Sequence, residues 1–316
     1  MCWVLISLGY KMTINLQRVI NSSLSIHLIS SLARCLPLKL GYRLAYGIAD
    51  WIAGQKDSKL IRAVRANQWV VSGAALQGEA LDQAVRKTMR YSAHFLFDLY
   101  HYAQSPHEVK HLAVLDPSFQ QLLHRPEYDQ RGLIVLGLHL GGFDLILQWL
   151  CRHGMKPLVL TIPNPQGGRR LEYEMRKKTG MNLMPVSVGA LRQALKHLQR
   201  GGLVLTGIDR PVERPGVFPR FFNQGAALPI HHIFLATKAH VPVIIAVTTL
   251  QQDGKYHVMA SDLIEMDSHP DQELGLLRNA EKVLSRAEEF IRRAPQQWSI
   301  PLAVWPQVMD LVPTGR

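Results

Sequence analysis

The chain has 316 residues, of which 47% are hydrophobic and 19% charged, and this apolar content excludes a disordered chain. Three widely spaced cysteines exclude a disulfide scaffold and any multi-cysteine zinc module. With 36 basic residues against 24 acidic ones, the net charge is +12, which favours an anionic partner: nucleic acid, an anionic membrane, or an acidic substrate or carrier.

Residues 1–55 predict amphipathic helices that associate with a membrane surface. The apolar run at 1–10 stops at Lys11 and has neither the basic region nor the cleavage site of a signal peptide. No segment reaches the roughly 18 apolar residues of a membrane-spanning helix. Basic residues are instead interspersed among Leu, Tyr and Trp at helical spacing, which is typical of a helix at a membrane interface; they are Arg18, Arg34, Lys39 and Arg43. The alternative is that these helices pack on their own domain.

Residues 56–130 predict further helices, packed on the rest of the protein. Helical periodicity covers 57–72 and 81–104. The second stretch carries an aromatic stripe, a pattern more typical of a core than of a ligand site.

From residue 131 onward the pattern changes to short apolar runs that alternate with helical stretches. Strands are predicted at 132–138, 157–162, 182–187 and 202–208, with helices at 143–153, 169–179 and 190–199 between them. A strand pair at 241–250 and 255–261 and a long helix at 274–293 follow. We therefore expect an α/β core over 131–316, with a mostly parallel central sheet flanked by helices. No linker separates it from the helical N-terminal region, so that one structural unit is expected.

The most distinctive local motif is GLHLGGFD at 137–144, which directly follows a predicted strand and opens a helix. His139 then lies at the carboxyl end of the strand, where open α/β sheets bind their ligands. Asp144 in the first helical turns is within reach of the imidazole, and such a carboxylate fixes the tautomer for a general base that acts on a hydroxyl. The amides of Gly141 and Gly142 are candidates to bind developing negative charge.

Other interpretations of this motif stay open. His139 could be structural, or the loop from Gly137 to Gly142 could bind a nucleotide, although its spacing does not match GxGxxG. A metal site would need further ligands, and the side chains of His231 and His232 point apart, so no metal is expected. The chain has no G-x-S-x-G motif, which disfavours a serine hydrolase.

At these residues a family resemblance becomes specific. His139 and Asp144, with four residues between them, resemble the HX4D/E motif of the glycerolipid and lipid A acyltransferase superfamily. The segment around Asp209 and Arg210, followed by GVFPRFFNQGAALP at 216–229, resembles the late lipid A lauroyl and myristoyl acyltransferases. Phosphatidylinositol mannoside acyltransferases share this segment. Arg176 matches the R-x-x-x-G position of the family, and PQQW at 295–298 resembles its P-E-Q-W.

The resemblance implies a glycerol-3-phosphate acyltransferase-like αβα fold and an O-acyltransferase activity. The acyl chain would move from a thioester on acyl carrier protein or coenzyme A, as co-substrate, to a hydroxyl of a lipid A-type glycolipid, with no other cofactor. His139 would act as the general base and Asp144 would orient it. A lysophospholipid or other glycerolipid acceptor is the alternative.

The resemblance also implies roles in substrate binding. Arg176 and Arg210 would bind phosphates of the donor or acceptor, because guanidinium binds phosphate bidentately. Asp209 would order their loop. Phe218, Phe221 and Phe222 would line or close an acyl tunnel, with a role in the core as the alternative.

The positive charge is then interpreted as attraction to anionic membrane lipid and to an acidic acyl donor. We expect a peripheral protein on the cytoplasmic face of the inner membrane. No nucleic-acid partner is expected, because the basic residues are spread along the chain and match no nucleic-acid module. The competing classes are a nucleotide-binding enzyme that uses the 137–142 loop and a charge-driven binder without activity.

Overall fold

A computed structural model describes residues 31, 33–123, 131–165, 168–213 and 215–313. Most of the predicted membrane-associating region, 1–30, lies outside these residues. Within them, no helix combines the length and the apolar character needed to cross a membrane.

The N-terminal region is helical, as predicted. Its helices are α1 (Leu38–Ala53), α2 (Lys59–Val71), α3 (Gly78–His101) and α4 (Pro106–Leu112). Ser58 caps α2 by accepting a hydrogen bond from the N–H of Ile61 at 3.3 Å. Both α1 and α2 pack their apolar faces on α3, in a cluster that includes Ile52, Val64 and Val85.

Among the described residues, seven strands form one sheet with the order β1-β9-β8-β2-β5-β3-β4. The strands are β1 (Ala113–Leu115), β2 (Leu133–Gly137), β3 (Leu158–Thr161), β4 (Asn182–Pro185), β5 (Leu203–Gly207), β8 (Val243–Leu250) and β9 (Tyr256–Ala260). All neighbours pair in parallel except β8 and β9. The predicted mostly parallel α/β sheet is therefore confirmed. Strand β1 lies within the stretch predicted as helical and pairs with β9.

Helices cover both faces of this sheet, which explains why its central strands are continuously apolar. They are α5 (Pro117–Leu123), α6 (Phe143–Arg152), α7 (Gly168–Lys178), α8 (Val188–Gln199), α9 (His231–Ala239) and α10 (Gln272–Arg293). Along β2, Leu133 and Val135 pack in the cluster that includes α6, while Ile134 and Leu136 pack in the larger cluster that includes α8, α9 and α10.

The GVFPRFFNQG stretch forms a small hairpin beside the sheet. Its strands β6 (Arg220–Phe221) and β7 (Gln224–Gly225) pair antiparallel, and Phe222 and Asn223 turn between them with φ of 51° and 59°. Glu288 of α10 accepts a hydrogen bond from the N–H of Phe222 at 2.6 Å and so fixes the turn to the core.

Candidate active site

His139 and Asp209 meet because β2 and β5 pair in register. Gly137 is the partner of Gly207, and the two functional residues each follow two positions later. Parallel neighbours lie about 4.8 Å apart, so side chains at this position can touch. Asp209 Oδ1 lies 2.7 Å from His139 Nδ1, and Asp209 Oδ2 accepts a hydrogen bond from the His139 N–H at 2.7 Å.

The environment of Asp209 keeps its carboxyl ionised. Burial alone would raise the pKa of Asp209, but the charge and hydrogen bonds of His139 and the hydrogen bond from Trp298 hold it below its usual range. The Trp298 indole donates this bond from Nε1 to Oδ2 at 2.8 Å. Because an ionised carboxylate only accepts, Nδ1 of His139 carries the proton and Nε2 is the basic nitrogen. The His139 side chain is 27% exposed while that of Asp209 is fully buried, so a substrate reaches the pair through the imidazole.

Residues 297–299, at the end of the PQQW motif and just after it, hold the backbone from His139 to Gly141. Ser299 donates its N–H to the carbonyl of His139 at 3.0 Å, and Gly141 donates its N–H to the carbonyl of Gln297 at 3.1 Å. The Gln297 side chain both donates to and accepts from the backbone of Leu250, at 2.8 Å each way. The role of this segment as a clamp on the His139 turn could not be predicted from the motif.

At both glycine positions of the turn, neighbouring atoms leave no room for a side chain. Gly141 has φ of 62°, and a Cβ there would collide with the carbonyl of Thr248; a Cβ at Gly142 would overlap the ring of Tyr256. The Gly141 amide is occupied by Gln297, so the expectation that it binds an oxyanion is corrected. Gly142 remains a candidate for that task.

Asp144 does not orient His139, which corrects the expectation drawn from the HX4D pattern. It is paired with Arg176 of α7, which donates from Nε to Oδ1 at 2.8 Å and from Nη2 to Oδ2 at 2.9 Å. This bidentate bond also corrects the expectation that Arg176 is available for phosphate. Burial lowers the pKa of Arg176, but Asp144 and Glu172 outweigh it and raise the pKa above its usual value.

Three further charged side chains, Glu172, Arg169 and Arg210, lie near this pair. Burial and the charge of Asp144 raise the pKa of Glu172. Burial and repulsion from Arg169 lower the pKa of Arg210 to about 10, and burial also lowers the pKa of Arg169. Both guanidinium groups lie near the Glu172 carboxylate, whose charge raises the pKa of each and partly offsets their mutual repulsion. The sequence predicted a phosphate-binding role for Arg210 but none for Arg169.

The three phenylalanines do not line a tunnel. Phe221 and Phe222 are buried in the main core against Trp298 and Trp305, with ring centroids 4.8–6.5 Å apart. Phe218 is 61% exposed. For Phe221 and Phe222 the core alternative is correct.

An apolar cavity of about 240 Å³ lies instead on the opposite face of the sheet, under α6. It begins at Gly137 and Phe143 and follows β2 to Leu133, a length of about 13 Å at ~3.3 Å per strand residue. The Phe143 ring, at this end of the cavity, is 5.0 Å from the His139 ring. The remaining wall consists mainly of aliphatic side chains, among them Ile146, Leu150, Leu203, Leu205 and Ala246. A cavity of this shape and polarity suits a hydrocarbon chain that ends beside His139.

Comparison with known proteins identifies the family of this chain. Residues 13–305 match the model of the bacterial lipid A biosynthesis acyltransferases. No curated protein matches the sequence. Among solved structures, the chain is similar to the 1-acyl-sn-glycerophosphate (LPA) acyltransferase PlsC from Thermotoga maritima, with 15% identity, coverage of 74% of this chain and 98% of that one, and a TM-score of 0.36. Because the family match spans most of its length, the chain belongs to the bacterial lipid A biosynthesis acyltransferase family.

Proposed function

We propose that this acyltransferase moves a fatty acyl chain from a thioester, carried by acyl carrier protein or coenzyme A, to a hydroxyl of a lipid A-type glycolipid. The observation that carries the proposal is the His139–Asp209 pair, whose imidazole lies 5.0 Å from the ring of Phe143 in the wall of the apolar cavity. The thioester is a co-substrate, and no further cofactor enters the reaction.

In the proposed reaction, Nε2 of His139 takes the proton from the acceptor hydroxyl while its oxygen attacks the thioester carbonyl. The tetrahedral intermediate then collapses and the carbon–sulfur bond breaks. The leaving thiolate accepts the proton from the imidazolium, which returns His139 to its neutral form. Asp209 stabilises the imidazolium through Nδ1 and keeps the ring in the reactive tautomer. No covalent acyl-enzyme is needed.

The oxyanion of the intermediate needs hydrogen-bond donors next to His139. We assign this task to the amide of Gly142 and to the first-turn amides of α6, which lack partners within their own helix. Gly142 is also the N-cap residue of α6, so the positive end of the helix lies beside the reacting carbonyl.

The substrates are placed by the rest of the site. The acyl chain of the donor occupies the cavity along β2, so that its thioester emerges near Phe143 and His139. Arg210, with Arg169 beside it, binds a phosphate of the donor or the acceptor. The Asp144–Arg176 pair fixes the start of α6 to α7 rather than binding substrate.

Helix α1 supports a peripheral location on the cytoplasmic face of the inner membrane. Leu40, Leu44, Ile48 and Trp51, here named the α1 stripe, follow helical spacing and are 46–57% exposed. Lys39 and Arg43 flank the stripe, as expected of a helix that lies on anionic lipid. On its buried side, α1 joins Leu171 and Met175 of α7 in one cluster around Phe97 and Tyr100. Helix α7 also carries Arg176, so a bilayer at the stripe would lie close to the active site.

The decisive experiment is transfer of a radiolabelled acyl group, offered in separate reactions on acyl carrier protein and on coenzyme A, to a bacterial lipid extract by the purified protein. We expect a labelled glycolipid with the wild type and none with His139→Ala. Asp209→Asn should lower kcat by about two to four orders of magnitude, the range for a lost general base or tautomer.

The matched control is Asp116→Asn, because the Asp116 carboxylate bonds only within its own turn, to Ser118. It should transfer at the wild-type rate. An active His139→Ala variant, or a wild type that labels no lipid, would contradict the proposal. Label confined to phospholipid would contradict the lipid A-type acceptor.

A further inference from the structure

Asp98 of α3 is a buried carboxylate outside the machinery described above. Its side chain is 2% exposed and receives hydrogen bonds from the hydroxyl of Tyr42 at 2.7 Å and from that of Tyr256 at 2.5 Å. His94 Nε2 lies 3.2 Å from it. Three elements, α1, α3 and β9, thus meet at one carboxylate. A buried carboxylate of this kind is costly unless it is fully satisfied, so its donors are closely tied to it.

Tyr256 connects Asp98 to the active-site turn. Its fully buried ring packs directly against Gly142, where a Cβ would lie 2.5 Å from Cε1. On the other side of the turn, Gly141 abuts the carbonyl of Thr248 in β8. The turn is therefore held between the β8 backbone and an aromatic ring whose hydroxyl is anchored by Asp98. Because His139 precedes this turn by only two residues, a shift of the Tyr256 ring would also shift the His139 imidazole.

Tyr42 connects the same carboxylate to α1. Its ring stacks on His94 with centroids 4.4 Å apart, and the neighbouring Tyr46 hydroxyl lies 2.7 Å from His94 Nδ1. Burial raises the pKa of both Tyr42 and Tyr256, so both phenols remain protonated donors to Asp98. The side of α1 opposite its exposed stripe is thereby bonded to the carboxylate that holds Tyr256.

We propose that Asp98 and Tyr256 are positioning residues that fix the Gly141–Gly142 turn beside His139, and that Tyr42 couples α1 to this turn through Asp98. The kinetic consequence rests on the proposed function of His139. The structural consequence, a turn immobilised by Tyr256, does not. The two consequences can therefore be tested separately.

The structural test is amide hydrogen exchange of the segment 138–146 in the full chain. We expect Tyr256→Phe, which keeps the ring but loses the hydroxyl, to speed exchange about tenfold, and Tyr42→Phe to speed it less. Because both act through Asp98, the double variant should show less than the product of the two effects. Unchanged exchange in Tyr256→Phe would overturn the positioning role. If the increase in exchange rate of the double variant equals the product of the two single increases, the coupling to α1 is overturned.

The kinetic test separates positioning from general stability. Tyr256→Phe should lower kcat about tenfold, because misplacing a catalytic group by a fraction of an ångström is costly, while KM stays within about twofold. The control is Asn279→Ala, which removes three hydrogen bonds to residues 267 and 275. It should lower the melting temperature but leave kcat and the exchange of 138–146 unchanged. A raised KM with unchanged kcat in Tyr256→Phe would overturn the proposal.

Discussion

Arg176 donates two parallel hydrogen bonds to Asp144, from Nε to Oδ1 at 2.8 Å and from Nη2 to Oδ2 at 2.9 Å. Both side chains are largely buried, at 20% and 10% exposure. The pair joins the first turn of α6 to the last turn of α7. The carboxylate of the HX4D pattern is thereby committed to a structural ion pair, and the imidazole takes its partner from the neighbouring strand.

This pairing predicts a strong coupling between the two residues. Asp144→Asn leaves the Arg176 guanidinium buried without its counter-charge. Arg176→Gln likewise leaves the Asp144 carboxylate buried without a positive partner. We expect the double variant to be about 1–3 kcal/mol more stable than the sum of the single losses would give. Urea unfolding of the four proteins measures this coupling, and additive losses would contradict it.

The same variants separate the two aspartates in catalysis. At a temperature where both variants are folded, Asp144→Asn should retain far more kcat than Asp209→Asn, because only Asp209 touches the imidazole. Equal losses would contradict a purely structural role for Asp144.

The sequence was sufficient to predict where His139 lies in the fold and which elements surround it. An apolar run at 132–138 and helical periodicity from 143 are local signals, and they place His139 at the carboxyl end of a strand. The partner of His139 could not be predicted in the same way. Asp209 lies 70 residues away, and its position depends on the register of β2 against β5. No local pattern encodes that register.

The absence of a local signal for distant contacts also explains the other differences between the predicted and the observed site. The clamp formed by Gln297 and Ser299 uses backbone groups about 160 residues from His139 in the chain, which a motif does not reveal. Phe221 and Phe222 are apolar wherever they lie, so hydrophobicity alone could not decide between core and tunnel. The cavity is built from aliphatic residues of strands and helices, and nothing in their sequence pattern distinguishes the wall of a cavity from a packed interior.

The ionised state of Asp209 predicts how stability changes with pH. Its pKa is lower in the folded protein than the unfolded value of about 3.9, so the folded state binds fewer protons than the unfolded state in acid. The stabilisation by Asp209 is therefore complete well above pH 4 and is lost as the pH falls through the folded-state pKa. We expect the difference in unfolding free energy between wild type and Asp209→Asn to shrink as the pH falls below about 4. Denaturant unfolding at several pH values measures it, and a difference that grows in acid would contradict the assignment.

The apolar cavity predicts a dependence on acyl length. Leu203 of β5 pairs with Leu133 and lines the cavity at the end far from His139. Leu203→Trp should fill part of this end and lower transfer of hexadecanoyl groups about tenfold more than transfer of octanoyl groups, because only the longer chain needs the far end of the cavity. Competition between the two donors measures the ratio. Leu96→Trp, at an exposed position in α3, is the matched control and should leave the ratio unchanged. An unchanged ratio in Leu203→Trp would place the acyl chain elsewhere.

The α1 stripe predicts binding to anionic bilayers. Burying one large aliphatic side chain contributes about 1.5–3 kcal/mol, so replacing Ile48 by Glu should weaken binding to vesicles of phosphatidylglycerol and phosphatidylethanolamine at least about tenfold. Co-sedimentation with these vesicles measures the loss. Leu311→Glu is the matched control, because Leu311 is 68% exposed but lies outside the stripe, and it should bind as the wild type does. Raising the salt concentration should weaken the binding of both proteins, since Lys39 and Arg43 would contribute by attraction to the anionic lipid. Equal binding of Ile48→Glu and the wild type would show that α1 does not contact the membrane.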